Sequence, residues 1–142
     1  MKRFIGALLL AICCAGCTST RATSGSPQAA GARVPVAAPE DFAAGLCRTA
    51  AEHVIAVGTM ADQLRGRTQA DIPMSDRVAM AKQQQAVIAM LPKADPAMRK
   101  QLQDLVTALG FARLRLDVRT YRPGLMDDVA KAEASIRTTC VH

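Results

Sequence analysis

The chain has 142 residues, of which 50% are hydrophobic, 21% charged and only 3% aromatic, and it carries a formal net charge of +6. That length suits one domain rather than several. A positive balance this mild, with so few aromatics, argues against nucleic-acid binding.

Lys2 and Arg3 precede an apolar run from Phe4 to Ala15 that closes on Gly16 and Cys17. A charged start, an apolar centre and a small-residue exit are the parts of a signal peptide, and about twelve apolar residues fall short of the ~20 that span a bilayer. The stretch Cys14-Ala15-Gly16-Cys17 resembles the lipobox of bacterial lipoproteins, where small residues precede a Cys that is lipidated on its sulfur before cleavage at its N-terminal side. In that family the position three before the lipidated Cys is normally aliphatic; here Cys14 fills it as a small apolar residue. The resemblance implies residues 1–16 as signal peptide and acyl chains on Cys17 that anchor the protein to a membrane, two or three chains together holding stably where one does not. With Thr18 rather than Asp following the Cys, the family's sorting tendency implies the outer membrane, facing the periplasm, in a Gram-negative cell. In a Gram-positive cell the same residues imply the outer face of the plasma membrane. The alternative is an ordinary cleaved signal, cut after Gly16 or near Ala22, and a soluble secreted product.

Removal of sixteen residues leaves 126 with 16 basic and 12 acidic side chains, a net charge of +4. Residues 17–39 begin at Cys17 and continue as TSTRATSGSPQAAGARVPVAAP, small and polar with no helical apolar period. Such a composition buries too little surface to offset its ordering entropy, so a disordered linker is expected.

Residues 40–142 read as a helical domain rich in Ala, Leu, Met, Gln and Arg, with Phe42, Phe111 and Tyr121 as its aromatics and no credible strand. The first helix is expected from about Glu40 to Leu64, with Phe42, Leu46, Ala50, His53, Val57, Met60 and Leu64 on one face, stopping at Arg65-Gly66. A second begins with Ser75 as N-cap and Asp76 in the first turn, carries Met80, Val87, Ile88 and Leu91 on a stripe interrupted by Gln84, and ends at Pro92. The third opens on Asp95-Pro96, where proline's missing N–H costs nothing, and runs to about Tyr121. It bears two apolar stripes on nearly opposite sides: Leu102, Leu105, Leu109, Ala112 and Leu116, and then Phe111, Leu114, Val118 and Tyr121. A helix apolar on both sides is central in the fold or committed to a partner, and the central placement is expected. The fourth starts near Pro123, has Asp127 and Asp128 at its beginning, and aligns Leu125, Val129, Ala132, Ile136 and Cys140. Short connections favour antiparallel neighbours, so the expected fold is an all-α, up-down-up-down four-helix bundle behind the tether.

Of the five cysteines, Cys13 and Cys14 leave with the signal and Cys17 takes lipid, so Cys47 and Cys140 remain as a pair. In an oxidising compartment an even pair points to a disulfide, and in an antiparallel bundle the start of the first helix and the end of the fourth share one end. Two buried free thiols are the alternative.

Candidate chemistry is sparse. His53 on an apolar face suits a satisfied core residue, and with only His142 besides it makes no metal site of usable spacing. Cys140-Val141-His142 lacks the first Cys of a haem-attachment motif. Met60, Met74, Met80, Met90, Met98 and Met126 do not cluster and read as core filling. Arg115, Arg119 and Arg122 fall along one edge of the third helix and are the candidate contact for an anion or a partner, Arg113 pairing locally with Asp117. No G-x-S-x-G, Walker loop, dinucleotide fingerprint or internal repeat occurs. Two functions follow: a non-enzymatic, membrane-tethered interaction or envelope-structural module without a cofactor, or a small exported enzyme or anion-binding protein with an Arg-lined pocket. Exported chorismate mutases are similar in size, helicity and disulfide use. Arg48, Glu52, Lys82 and Gln84 supply the residue types such a site needs, with no motif that places them.

Overall fold

The computed structural model describes residues 37–141. Four α-helices carry them: α1 Leu46–Leu64, α2 Met74–Met90, α3 Pro96–Asp117 and α4 Leu125–Cys140. Short 3₁₀ turns precede α1, join α1 to α2 and join α2 to α3, and there is no strand among the described residues beyond one isolated bridge. Each helix packs on two others, α1 on α2 and α4, and α3 on α2 and α4. Signal segment, Cys17 and nearly all of the expected tether lie outside the described residues, as does His142; Ala37 packs on the core and Pro39 opens the first 3₁₀ turn.

The helix starts show what local chemistry decides and what it leaves to packing. Asp95 caps α3 as its sequence position requires, Oδ1 accepting from the N–H groups of Ala97 (2.9 Å) and Met98 (3.0 Å), with Pro96 at the first helical position. At α1 the expected start at Glu40 is displaced to Leu46. Gly45 sits at φ 82°, a left-handed conformation that breaks the helix there. Upstream, Phe42 leaves the helical path to bridge Val141, and the Ala43 N–H donates to the Cys140 carbonyl at 2.7 Å. Arg48 holds this lead-in by donating to the carbonyls of Phe42 and Glu40. Phe42 still joins the core at 1% exposure. In α2, Pro73 rather than Ser75 stands in the cap position, its extended ψ of 163° turning the chain into the helix.

Helix α3 ends at Asp117 rather than Tyr121. Thr120 N–H donates to the Arg115 carbonyl (2.8 Å) and Arg119 N–H to the Leu116 carbonyl (3.3 Å), the paired bonds of a Schellman stop, with Arg119 in the left-handed position at φ 58°. A side chain in that conformation is strained where glycine is not. Gln69, in the connection between α1 and α2, donates through Nε2 to the Leu116 carbonyl (3.2 Å) and accepts through Oε1 from the Tyr121 N–H (3.2 Å).

The core is built on the leucine stripe of α3, where Leu102, Leu105, Leu109 and Leu116 are fully buried with Ala112. Ala50, Ala51, Val54, Val57 and Ala61 of α1 meet it with Met80 and Val87 of α2 and Met126, Val129 and Ile136 of α4. The second stripe of α3 is not core: Phe111, Leu114 and Val118 are 44%, 54% and 54% exposed. Helix α3 packs on α2 and α4 with one stripe buried and the other exposed, so the expected central placement is corrected. Tyr121 is buried, but from the turn beyond the helix. Ile88, expected on the inward face of α2, is 44% exposed.

Cys47 and Cys140 form a disulfide between residues 93 apart in sequence, with Cα atoms 5.3 Å apart. On the chain-entropy account, closing so long a loop stabilises the fold by roughly 4–5 kcal/mol. Cys47→Ser is therefore expected to melt at the temperature of the reduced wild type, well below the oxidised protein; identical melting of wild type with and without reductant would show that the crosslink contributes nothing. Arg119→Gly is expected to raise stability by roughly 0.5–1 kcal/mol by relieving the left-handed strain, checked by urea midpoints against Arg119→Ala, which keeps the strain.

Candidate functional site

Two polar sites are built on this frame. The first lies where α3 stops. Arg115, in the last turn of α3, lays its guanidinium over the Phe111 ring, 4.7 Å from the centroid. Arg122, in the turn to α4, reaches the same pocket of about 350 Å³, closed by Thr120 and Leu125. Neither arginine has a carboxylate within ion-pair distance among the described residues. Arg119, expected on the same edge, is exposed and does not line the pocket. Its helical spacing from Arg115 ceases to apply once α3 ends at Asp117. Arg113, expected to pair with Asp117, instead donates to the side-chain amide oxygen of Gln84 in α2. What the site can do chemically is take an anion: two cations line one pocket with a partly exposed aromatic ring, and guanidinium suits carboxylate or phosphate.

The second site, between α1 and α4, has no counterpart in the sequence expectations. Glu133, 2% exposed, is the one buried charged residue among those described. Its carboxyl lies against Gly58 of α1, where a Cβ would approach to 3.1 Å, and Arg137 Nε stands 2.8 Å from its Oε1. Burial pushes the Glu133 carboxyl up to about 6 and Asp62 adds to the rise, while Arg137 opposes both. A carboxyl poised there changes charge in the physiological range and is a candidate proton-exchanging group. Around it is a cleft of about 340 Å³ that Arg65 and Asp62 also line.

The other candidates are absorbed by structure. His53 is half-buried, its Nδ1 2.9 Å from the Gln83 side-chain oxygen across the α1–α2 contact. Met60, Met80, Met90, Met98 and Met126 fill the core, and Met74 is exposed. Arg48 is spent on the lead-in to α1, Gln84 on Arg113 and the Val106 carbonyl of α3, and Glu52 and Lys82 are exposed. Those four residues do not converge. Among the described residues no group of three or more His, Cys, Asp or Glu is placed to hold a metal, and no helix is long and apolar enough to cross a membrane.

No family model, curated protein or solved structure matches this chain.

The raised Glu133 carboxyl gives stability a defined pH dependence. Between the ordinary value of 4.5 and about 6 the native state holds a proton that the unfolded chain releases. Its contribution is therefore complete below pH 4.5 and is lost as pH rises through 6, a change of about 2 kcal/mol. In urea denaturation across that range, wild type is expected to lose about this much relative to Glu133→Gln; parallel curves would show that the carboxyl titrates normally.

Proposed function

We propose that this chain is an exported lipoprotein, anchored through lipid on Cys17, whose helical domain is a non-enzymatic interaction module of the cell envelope. The pocket formed by Phe111, Arg115 and Arg122 carries the reading. Both arginines are without carboxylate partners among the described residues, and both stand beside an aromatic ring left 44% exposed. Leaving a large apolar ring and two unpaired cations on one edge makes sense if an anionic group of a partner completes them. The partner is an acidic protein surface or an anionic envelope polymer.

The arrangement behind this reading is an antiparallel, up-down-up-down bundle. Several contacts support it. Cys47 near the start of α1 meets Cys140 at the end of α4, Arg65 just past α1 meets Asp127 in the first turn of α4 (3.0 Å), and Gln69 between α1 and α2 reaches Leu116 at the end of α3. The first described residues lead to Phe42, which bridges Val141 at the disulfide end. The arginine pocket, at the end of α3 and the start of α4, then lies at the opposite end of the bundle from the disulfide. The alternative, a small exported enzyme, rests on the same arginine-lined pocket and predicts turnover of a small anionic substrate there.

Fractionation with cross-linking in intact cells tests the proposal. Wild type is expected in the membrane fraction with a cross-linked partner, and Cys17→Ala is expected in the soluble fraction. An Arg115→Ala/Arg122→Ala variant should remain on the membrane and lose the cross-link by an order of magnitude. Soluble wild type would overturn the anchor. An undiminished cross-link in the double variant would overturn the role of the pocket.

A further inference from the structure

We infer that the cleft between α1 and α4 is a binding site for a small organic carboxylate, gripped by the Arg137 guanidinium and taken up together with one proton on Glu133. At about 340 Å³ the cleft is at the small end of the range for ligand sites. Ile55, Ala130 and Ala134 give it an apolar wall, and Gly58 of α1 leaves room for the Glu133 carboxyl at its side. A short hydrocarbon body fits such a wall, which a fully hydrated inorganic anion does not exploit.

The charges choose the sign of the ligand. Arg65 is already engaged by Asp127 at 3.0 Å and Asp62 at 3.5 Å. Arg137 gives only its Nε edge to Glu133, at 2.8 Å, and its two terminal amino groups have no protein partner among the described residues. That free fork matches a carboxylate in bidentate geometry.

A second anion beside Glu133 would be repelled while Glu133 is ionised. Protonation removes the repulsion and turns the carboxyl into a donor toward the ligand oxygen. The balance is simple: the carboxylate and one proton enter, an O–H bond forms at Glu133, and the charge of site plus ligand stays at that of the empty, ion-paired cleft. Burial already holds this carboxyl near 6, so protonation is easily reached in a mildly acidic medium. From α1, Asp62 faces the same space, as does Arg65 beyond its end; from α4, Arg137 does, while Asp127 pairs with Arg65. Asp104 of α3 lines a separate groove with Asp128 and Lys131.

Titrating the isotope-labelled full chain with butyrate, followed by amide and arginine side-chain NMR shifts at pH 5.5 and 7.5, tests this. Saturable shifts are expected around Gly58, Ala130, Ala134 and Arg137, with affinity on the order of tenfold or more weaker at the higher pH. Glu133→Gln is expected to bind equally at both pH values, and Arg137→Gln to lose binding. Should Arg137→Gln fail to fold, Ala134→Leu, which fills the cleft from α4, is expected to abolish binding in a folded protein. Absence of saturable shifts, pH-independent binding by wild type, or undiminished binding by Ala134→Leu would each overturn the inference.

Discussion

The bond between Cys47 and Cys140 joins the first helix of the domain to its last. Its importance lies in what the core lacks. The inward face of α1 is largely alanine and valine, with Ala50, Ala51, Val54, Val57 and Ala61 all fully buried, and each alanine brings little apolar area to a helix contact. A domain of this size has a modest core at best. Confining the unfolded chain compensates for what its packing cannot supply. The same bond secures the end where Phe42 and Ala43 pair with Val141 and Cys140, so the lead-in segment is held although it has no regular structure of its own.

Elements that depend on local chemistry were legible in the sequence. Asp95-Pro96 announces a helix start because cap and proline act within one turn, and the leucine stripe of α3 announces a buried face because its period is helical. The pairing of Cys47 with Cys140 is the one expected when Cys13, Cys14 and Cys17 are set aside with the expected signal and lipid site. What could not be read depends on residues far apart in the chain. Phe42 fits the period of α1 as well as any residue, and only its contact with Val141 removes it from the helix. The end of α3 was obscured because Arg119 takes a conformation for which the usual sign is glycine.

The two polar sites differ in the same respect. Arg115 and Arg122 were found because clustered arginines stand out, although the turn after Asp117 decides which of them converge. Glu133 does not stand out in the sequence, because a Glu followed four residues later by Arg reads as a solvated helix pair. The signal lay on another helix. Gly58, in the interior of α1 where glycine costs helix stability, marks where something must approach closely, and nothing in the sequence says that Glu133 is what approaches.

Gln69 has a consequence beyond its two hydrogen bonds. By holding the Leu116 carbonyl and the Tyr121 N–H at once, one side chain fastens the α1–α2 connection to the α3–α4 turn. Cys47 and Cys140 are joined covalently; the two connections are held by hydrogen bonds and exposed ion pairs. Amide exchange should therefore begin around Gln69, with the two connections losing protection together as a single cooperative unit while the amides beside the disulfide wait for global unfolding.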